Sequence, residues 1–131
     1  MEAYKAKELV VVHPNQTGSG ARIYGVVAAA GVNVRAFCGY SVGSQAVLTM
    51  VTENNAAARR ALKKAGLSVD EREVICVLSP NRAGVFHEIA LRLAENGIGI
   101  DYAYASVGGK TKALVVLQTN DDGKAVRVLG R

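Results

Sequence analysis

The chain repeats itself. Residues 9–64 align without a gap on residues 75–130, at the offset that carries Pro14-Asn15 onto Pro80-Asn81. The same register pairs Gly18 with Gly84, Gly31 with Gly97 and Gly43 with Gly109. It also pairs Val11, Ile23, Ala28, Leu48 and Asn54 with Val77, Ile89, Ala94, Leu114 and Asn120. Each copy reads as an apolar strand, a polar P-N-x-x-G loop, an amphipathic helix, a glycine and two further strands. A repeat of this length means two small modules of one fold rather than a solenoid, expected at residues 1–70 and 71–131. A module of roughly 65 residues buries only about 60% of its surface, so the two are expected to share a core or an interface.

With 131 residues, half of them hydrophobic, and two prolines, the chain is expected to be ordered throughout and of single-unit size. Its start, Met1-Glu2, has neither the basic flank nor the apolar run of a secretory signal. The longest apolar stretch, around Val26 to Val34, contains Gly31 and Asn33 and is far short of the roughly 20 residues of a membrane span. Cys38 and Cys76 are not repeat-equivalent and lack metal-ligand spacing. They read as core thiols in a reducing compartment. The expectation is a soluble cytoplasmic protein without metal or cofactor.

A net charge of +5 raises the question of nucleic acid. The densest basic group, Arg59, Arg60, Lys63 and Lys64, falls on one face of a predicted helix with Leu62 left for the core, which reads as a solvated surface. Single-strand RNA readers on a βαββαβ scaffold stack bases on aromatics of their central strands. The matching strands here, 9–12 and 46–51, and in the second copy 74–78 and 113–117, contain no aromatic residue. That mode of RNA binding is disfavoured.

Along the chain, residues 7–13 read as a buried strand bounded by Pro14. Ile23, Val26, Val27 and Ala30 form one helical stripe that Gly31 ends. Residues 32–40 and 44–52 form a hairpin about Val42-Gly43, a helix follows over 55–65, and 67–70 is a fourth strand. Asp70-Glu71-Arg72-Glu73 reads as a polar passage into the second copy. There 74–79 is a strand, Val85, Ile89, Arg92 and Leu93 line a helix that Gly97 caps, and 98–106 and 112–119 form a hairpin about Gly108-Gly109. A last helix starts near Asp121 and runs toward Arg131, leaving no residues for a fourth strand. That strand is either borrowed from the other copy or another chain, or an edge is exposed. The order predicts an α+β fold of two ferredoxin-like βαββαβ modules, antiparallel sheets with helices on one face.

The second copy, Val77 to Ala90 and on through Leu93-Ala94-Glu95-Asn96-Gly97-Ile98-Gly99-Ile100-Asp101-Tyr102, resembles the strand–loop–helix signature of the ACT domain. That module senses amino acids in metabolic enzymes. The resemblance covers nearly the whole chain as a tandem pair, and implies binding of a free amino acid or similar metabolite with a regulatory output. In the first copy, His13-Pro14-Asn15-Gln16-Thr17-Gly18 and Gly31-Val32-Asn33-Val34 resemble the serine-binding regulatory domain of phosphoglycerate dehydrogenases. That resemblance implies that His13, Asn15 and Asn33 hold the effector, with Gln16-Thr17 standing where that family has Arg-Pro. In the second copy the three positions are Ser79, Asn81 and Gly99. The candidate ligand-binding residues are therefore His13, Asn15, Gln16, Thr17, Gly18 and Asn33, with Ser79, Asn81, Arg82, Ala83 and Gly84.

The chemistry of these residue types agrees. An amino acid presents a carboxylate beside an ammonium. Free N–H groups at a helix start, behind a glycine, suit the carboxylate, and an asparagine offers both donor and acceptor. Gly18 and Gly84 serve either ligand contact or only a tight turn. Asn15 and Asn81 bind ligand or shape the loop, and His13 is a ligand contact or a hydrogen-bonded strand end. Asp101 and His87 read as surface residues, and Tyr102 and Tyr104 share one strand face. Within a module, a helix of about 13 residues, roughly 20 Å at 1.5 Å per residue, separates the loop from Asn33. The site should therefore be interfacial, with modules pairing through their first helices and second strands in a homodimer or larger assembly.

The leading expectation is a non-catalytic amino-acid-binding regulatory protein acting on a metabolic enzyme partner, without nucleic acid or membrane. The alternative is a structural or oligomerisation module with degenerate pockets. A small enzyme such as an acylphosphatase-like hydrolase is disfavoured, because no nucleophile–base pair converges in the sequence.

Overall fold

The computed structural model describes residues 1–108 and 112–130. Its elements in chain order are β1 (Glu2–Pro14), α1 (Ser19–Ala29), β2 (Val34–Val42), β3 (Gln45–Thr52) and α2 (Asn55–Lys64). There follow β4 (Val69–Pro80), α3 (Val85–Glu95), β5 (Ile100–Val107), β6 (Lys112–Thr119) and α4 (Asp122–Leu129). The chain divides into a first unit, Lys7–Arg72, and a second unit, Met1–Ala6 with Glu73–Arg131.

In the first unit the strand order is β2-β3-β1-β4. Leu9 pairs with Met50, Val11 with Leu48 and His13 with Ala46, antiparallel, and β2 is antiparallel to β3. Alternation then places Leu9, Val11, Leu48 and Met50 on one face. There they pack against Ile23 and Val27 of α1 and Ala58 and Leu62 of α2. Both helices therefore cover the same side of the sheet. The α2 helix begins where the Asn54 side chain accepts the Ala57 N–H at 3.1 Å, an N-cap that satisfies one free donor. Leu62 is fully buried under the basic helix face, and Arg60, Lys63 and Lys64 are exposed as expected.

The second unit repeats this plan with order β1-β4-β6-β5. Ile75 pairs with Leu117 and Val77 with Val115. These four pack against Ile89 and Leu93 of α3 and Ala125 and Leu129 of α4. The fourth-strand place is taken by the start of β1, where Ala3 and the preceding Met1 pack on this core. The two modules are α+β, ferredoxin-like and antiparallel, as the sequence predicts.

Three features differ from the sequence reading. Residues 2–6 also form strand, where the sequence reading began it at residue 7, so β1 runs from Glu2 to Pro14 and serves the second unit before it serves the first. Asp70 to Glu73 is not a polar passage but part of the first half of β4. Sheet pairing is made by the backbone, so charged side chains that stay exposed do not stop a strand.

The ungapped register also fails after the second strand. Ser79 pairs with Ala113 where His13 pairs with Ala46, so the second copy runs one position later from the third strand onward. Leu48 corresponds to Val115 on the helix-covered face, whereas Leu114 pairs with Leu78 on the opposite face. A one-residue shift in a strand turns every side chain over. The extra residue lies between Val107 and Lys112. The expected turn at Gly108-Gly109, and the match of Gly43 with Gly109, fall in part on residues outside those described.

Candidate functional site

Each P-N-x-x-G loop ends at a glycine with positive φ, 90° at Gly18 and 84° at Gly84, immediately before its helix. A Cβ at either position would meet nothing within 4 Å. The requirement is therefore backbone conformation, which a side chain strains, and the space beside the loop stays open.

In the first unit the loop is knitted by Ser19, the first residue of α1. Its hydroxyl donates to Pro14 O at 3.1 Å and accepts from Gln16 N at 3.3 Å, while Asn15 N donates to Ser44 O of the β2–β3 turn at 2.8 Å. His13 Nδ1 lies 3.0 Å from Pro14 O and 3.2 Å from Ser19 Oγ, and Arg22 Nη1 donates to His13 Nε2 at 3.1 Å. Because Nε2 accepts, the imidazole hydrogen is assigned to Nδ1 and donates to Pro14 O. Sequence reasoning missed Ser19 and Arg22. They stand at the first and fourth positions after the loop glycine.

Beside this loop lies a groove of about 310 Å³, walled by Asn15, Gln16, Gly18, Tyr24, Tyr40 and Ser41. Tyr24 stands firm in it. Its hydroxyl donates to Thr49 O at 3.2 Å, and its ring meets Phe37 edge to face at 5.2 Å. Burial first, then the nearby Cys38, pushes the Tyr24 phenol up to about 12, so it remains a neutral donor. The first turn of α1 has no acidic residue. A helix N-terminus facing the cation Arg22 is electrostatically short of negative charge.

Of the predicted first-unit residues, the structure gathers Asn15, Gln16 and Gly18 at the groove, with Thr17 in the same loop and His13 beneath Ser19. Asn33 is not among them. Its side chain donates to Glu53 Oε1 at 3.1 Å, next to the β2 start, where Val34 pairs with Thr52. Pro14 pairs with Gln45 at the other end of β3. Seven residues of strand separate these ends, about 24 Å at ~3.4 Å per residue. Within one unit Asn33 and the loop do not meet.

The second unit is built differently. Arg82 is held by Glu88, which also accepts from Arg92 at 2.8 Å. The Arg82 hydrogen bond, helped by both guanidinium charges, holds the Glu88 carboxyl below the usual range. Gly20, Tyr24 and Gly39 are replaced at the corresponding positions by Phe86, Ala90 and Ala105. The groove there, of about 290 Å³, is walled by Phe86, Ala90, Ile100, Ala103, Tyr104 and Val115. It is apolar, and Asn81, Arg82, Ala83 and Gly84 do not line it. Ser79 is buried and lines a separate cavity with Glu2 and Lys112. Gly99, the counterpart of Asn33, donates its N–H to Asn120 Oδ1 at 3.0 Å. Tyr102 and Tyr104 stack on one face of β5, centroids 6.5 Å apart, and Asp101 and His87 are exposed.

The model of the ACT domain pair family matches residues 5–130. The chain belongs to that family. Among solved structures it is similar to protein BT0572 from Bacteroides thetaiotaomicron, at 25% identity and a TM-score of 0.88, over 97% of this chain and 88% of that one. It is also similar to the regulatory subunit of aspartate kinase from Thermus thermophilus, at 15% identity and a TM-score of 0.67, over 98% and 95% of the two chains. The latter likeness concerns the fold. No curated protein matches the chain. Among the described residues, no helix is long and apolar enough to cross a membrane.

Proposed function

We propose that this protein is a non-catalytic regulatory protein that binds a free amino acid at the loop of its first unit and acts on a metabolic enzyme partner in the cytoplasm. The observation that carries the reading is the polar groove beside Asn15, Gln16 and Gly18. Its volume is at the lower end for small-molecule sites, which favours a ligand of amino-acid size. The carboxylate is taken by the free N–H groups at the start of α1, with Arg22 adding positive charge. Asn15 bridges carboxylate and ammonium, and Tyr24, Tyr40 and Ser41 offer polar contacts to the side chain. His13 holds the loop through Pro14 and Ser19, and Thr17 is an exposed member of it. The likeness of this loop to the serine-binding domain of phosphoglycerate dehydrogenases supports a small polar effector.

Asn33 joins this site from a second copy. In support, β2 is an edge strand that leaves Phe37 at 64% and Val42 at 61% exposure, a surface suited to a homodimer. In the second unit, Asn81, Arg82, Ala83 and Gly84 form the weaker copy, because Glu88 occupies Arg82. That unit favours the alternative of a structural module with a degenerate loop.

A thermal-shift screen of the twenty amino acids tests the function, since a ligand of the folded state raises stability with its concentration. A concentration-dependent rise with at least one small polar amino acid is expected. No rise with any of the twenty would leave the structural alternative standing.

A further inference from the structure

Two aromatic rings stand between α1 and β2 in the first unit, and the second unit has lost both. Tyr24 and Phe37 meet edge to face at 5.2 Å, with the Tyr24 hydroxyl tied to Thr49 O. The repeat carries Tyr24 onto Ala90 and Phe37 onto Ala103. Strand pairing gives the same match: Phe37 pairs with Met50 and Ala103 with Leu117, and both partners lie on the helix-covered face. Each ring is thus replaced by a methyl group. The flanking elements do not close over the loss. What remains between α3 and β5 is the apolar groove of about 290 Å³.

The rest of this cleft suits a ring. Phe86 stands where the first unit has Gly20, so an aromatic wall is added beside the vacated space. Ile89, Val115 and Leu117 are buried and form the floor. β5 ends the strand order, and Phe86 and Ile100 are 49% and 39% exposed, so the cleft opens to solvent. Among the described residues no charged side chain lines it. A zwitterion would give up its hydration there without a charged partner. Water gains little either, since an apolar hollow offers it few hydrogen bonds, and an apolar ring fills it more favourably.

We propose that this cleft binds a small uncharged aromatic molecule, of one or two rings, in the place that Tyr24 and Phe37 fill in the first unit. Phe86 supplies the edge-to-face partner, as Phe37 does for Tyr24. The volume lies at the lower limit of small-molecule sites, which fits a ligand of that size. The site belongs to the second unit alone. It shares neither residues nor ligand class with the first-unit groove, so either can fail without the other.

The test uses the full chain, backbone amide NMR and p-cresol, which is the tyrosine side chain without its backbone. p-Cresol at millimolar concentration is expected to cause saturable shifts at the amides of Phe86, Ala90, Ala103 and Ala105. L-Tyrosine, which carries the same ring with two charges, is expected to cause none there. Ala90→Tyr and Ala103→Phe each restore a lost ring and are expected to abolish the shifts. Both positions are exposed, so the variants fold. Phe86→Ala removes one wall and is expected to weaken binding by about 2–10-fold, the worth of an aromatic pair. The proposal is overturned if p-cresol moves none of these amides saturably, if its affinity survives both ring-restoring variants, or if L-tyrosine binds there as tightly. It is also overturned if the same amides shift with protein concentration alone, as they would if a second copy filled the cleft.

Discussion

Arg22 and Glu88 stand at the same position of the two repeats, each with its amide donating to the loop glycine, Gly18 at 2.9 Å and Gly84 at 3.0 Å, and they carry opposite charges. Glu88 lies at a helix N-terminus, where a carboxylate is favourable, and it clamps Arg82. Arg22 is a cation at the corresponding helix start and reaches His13. The arginine of one loop is neutralised by its own helix, and the other helix start carries no acidic residue in its first turn.

Glu88 should titrate below an ordinary glutamate. Its folded-state pKa is depressed, so its contribution to stability is present above the unfolded value and is lost as pH falls through the folded one. Carboxyl NMR on Arg82→Ala and Arg92→Ala should move the titration back toward the usual range, further for Arg82→Ala. An unchanged Glu88 titration in Arg82→Ala would contradict the clamp.

Gly18→Ala and Gly84→Ala should each destabilise the protein by about 1–2 kcal/mol, the cost of a left-handed backbone for a residue with a Cβ. Since a Cβ meets no neighbour at either site, the two losses should be alike. Urea unfolding that shows a much larger loss at one would mean that steric contact, not φ, sets the requirement.

Removing residues 1–6 should strip the second unit of its fourth strand and expose the β4 edge and the core contacts of Met1 and Ala3. Hydrogen exchange should then rise at the amides of residues 74–78. Protection there equal to the full chain would show that this strand does not support the unit.

Phe37→Asp places a charge on the exposed edge of β2. Sedimentation at micromolar concentration should show a dimer for the parent chain and a monomer for the variant. A parent chain that sediments as a monomer with and without amino acids would contradict the homodimer.

Most of the fold was legible because the repeat fixes it twice. Pro14 and Pro80 mark the strand ends, Gly31 and Gly97 mark the helix ends, and Ile23 and Ile89 mark the buried faces. The third-strand register was not legible, because Leu48 matches both Leu114 and Val115 in hydrophobicity and only pairing separates the two faces. The first strand was read too short, because Glu2-Ala3-Tyr4-Lys5 has little apolar pattern and gains its order from packing on a distant part of the chain. At the site, loop residues Asn15 and Gly18 could be read from the motif. Arg22 and Ser19 could not, since their roles depend on the angle at which α1 leaves the loop.

The central claim is that the first-unit groove binds an amino acid, and isothermal titration with the effector found by thermal shift tests it most directly. Losing a hydrogen bond to a charged ligand group costs about 1.5–3 kcal/mol, roughly 10–150-fold in affinity. Asn15→Ala and Arg22→Ala should each weaken one binding event by that factor while leaving the unfolding midpoint in the absence of ligand nearly unchanged. Unaltered affinity at every site in the Asn15→Ala/Arg22→Ala double variant would contradict the account.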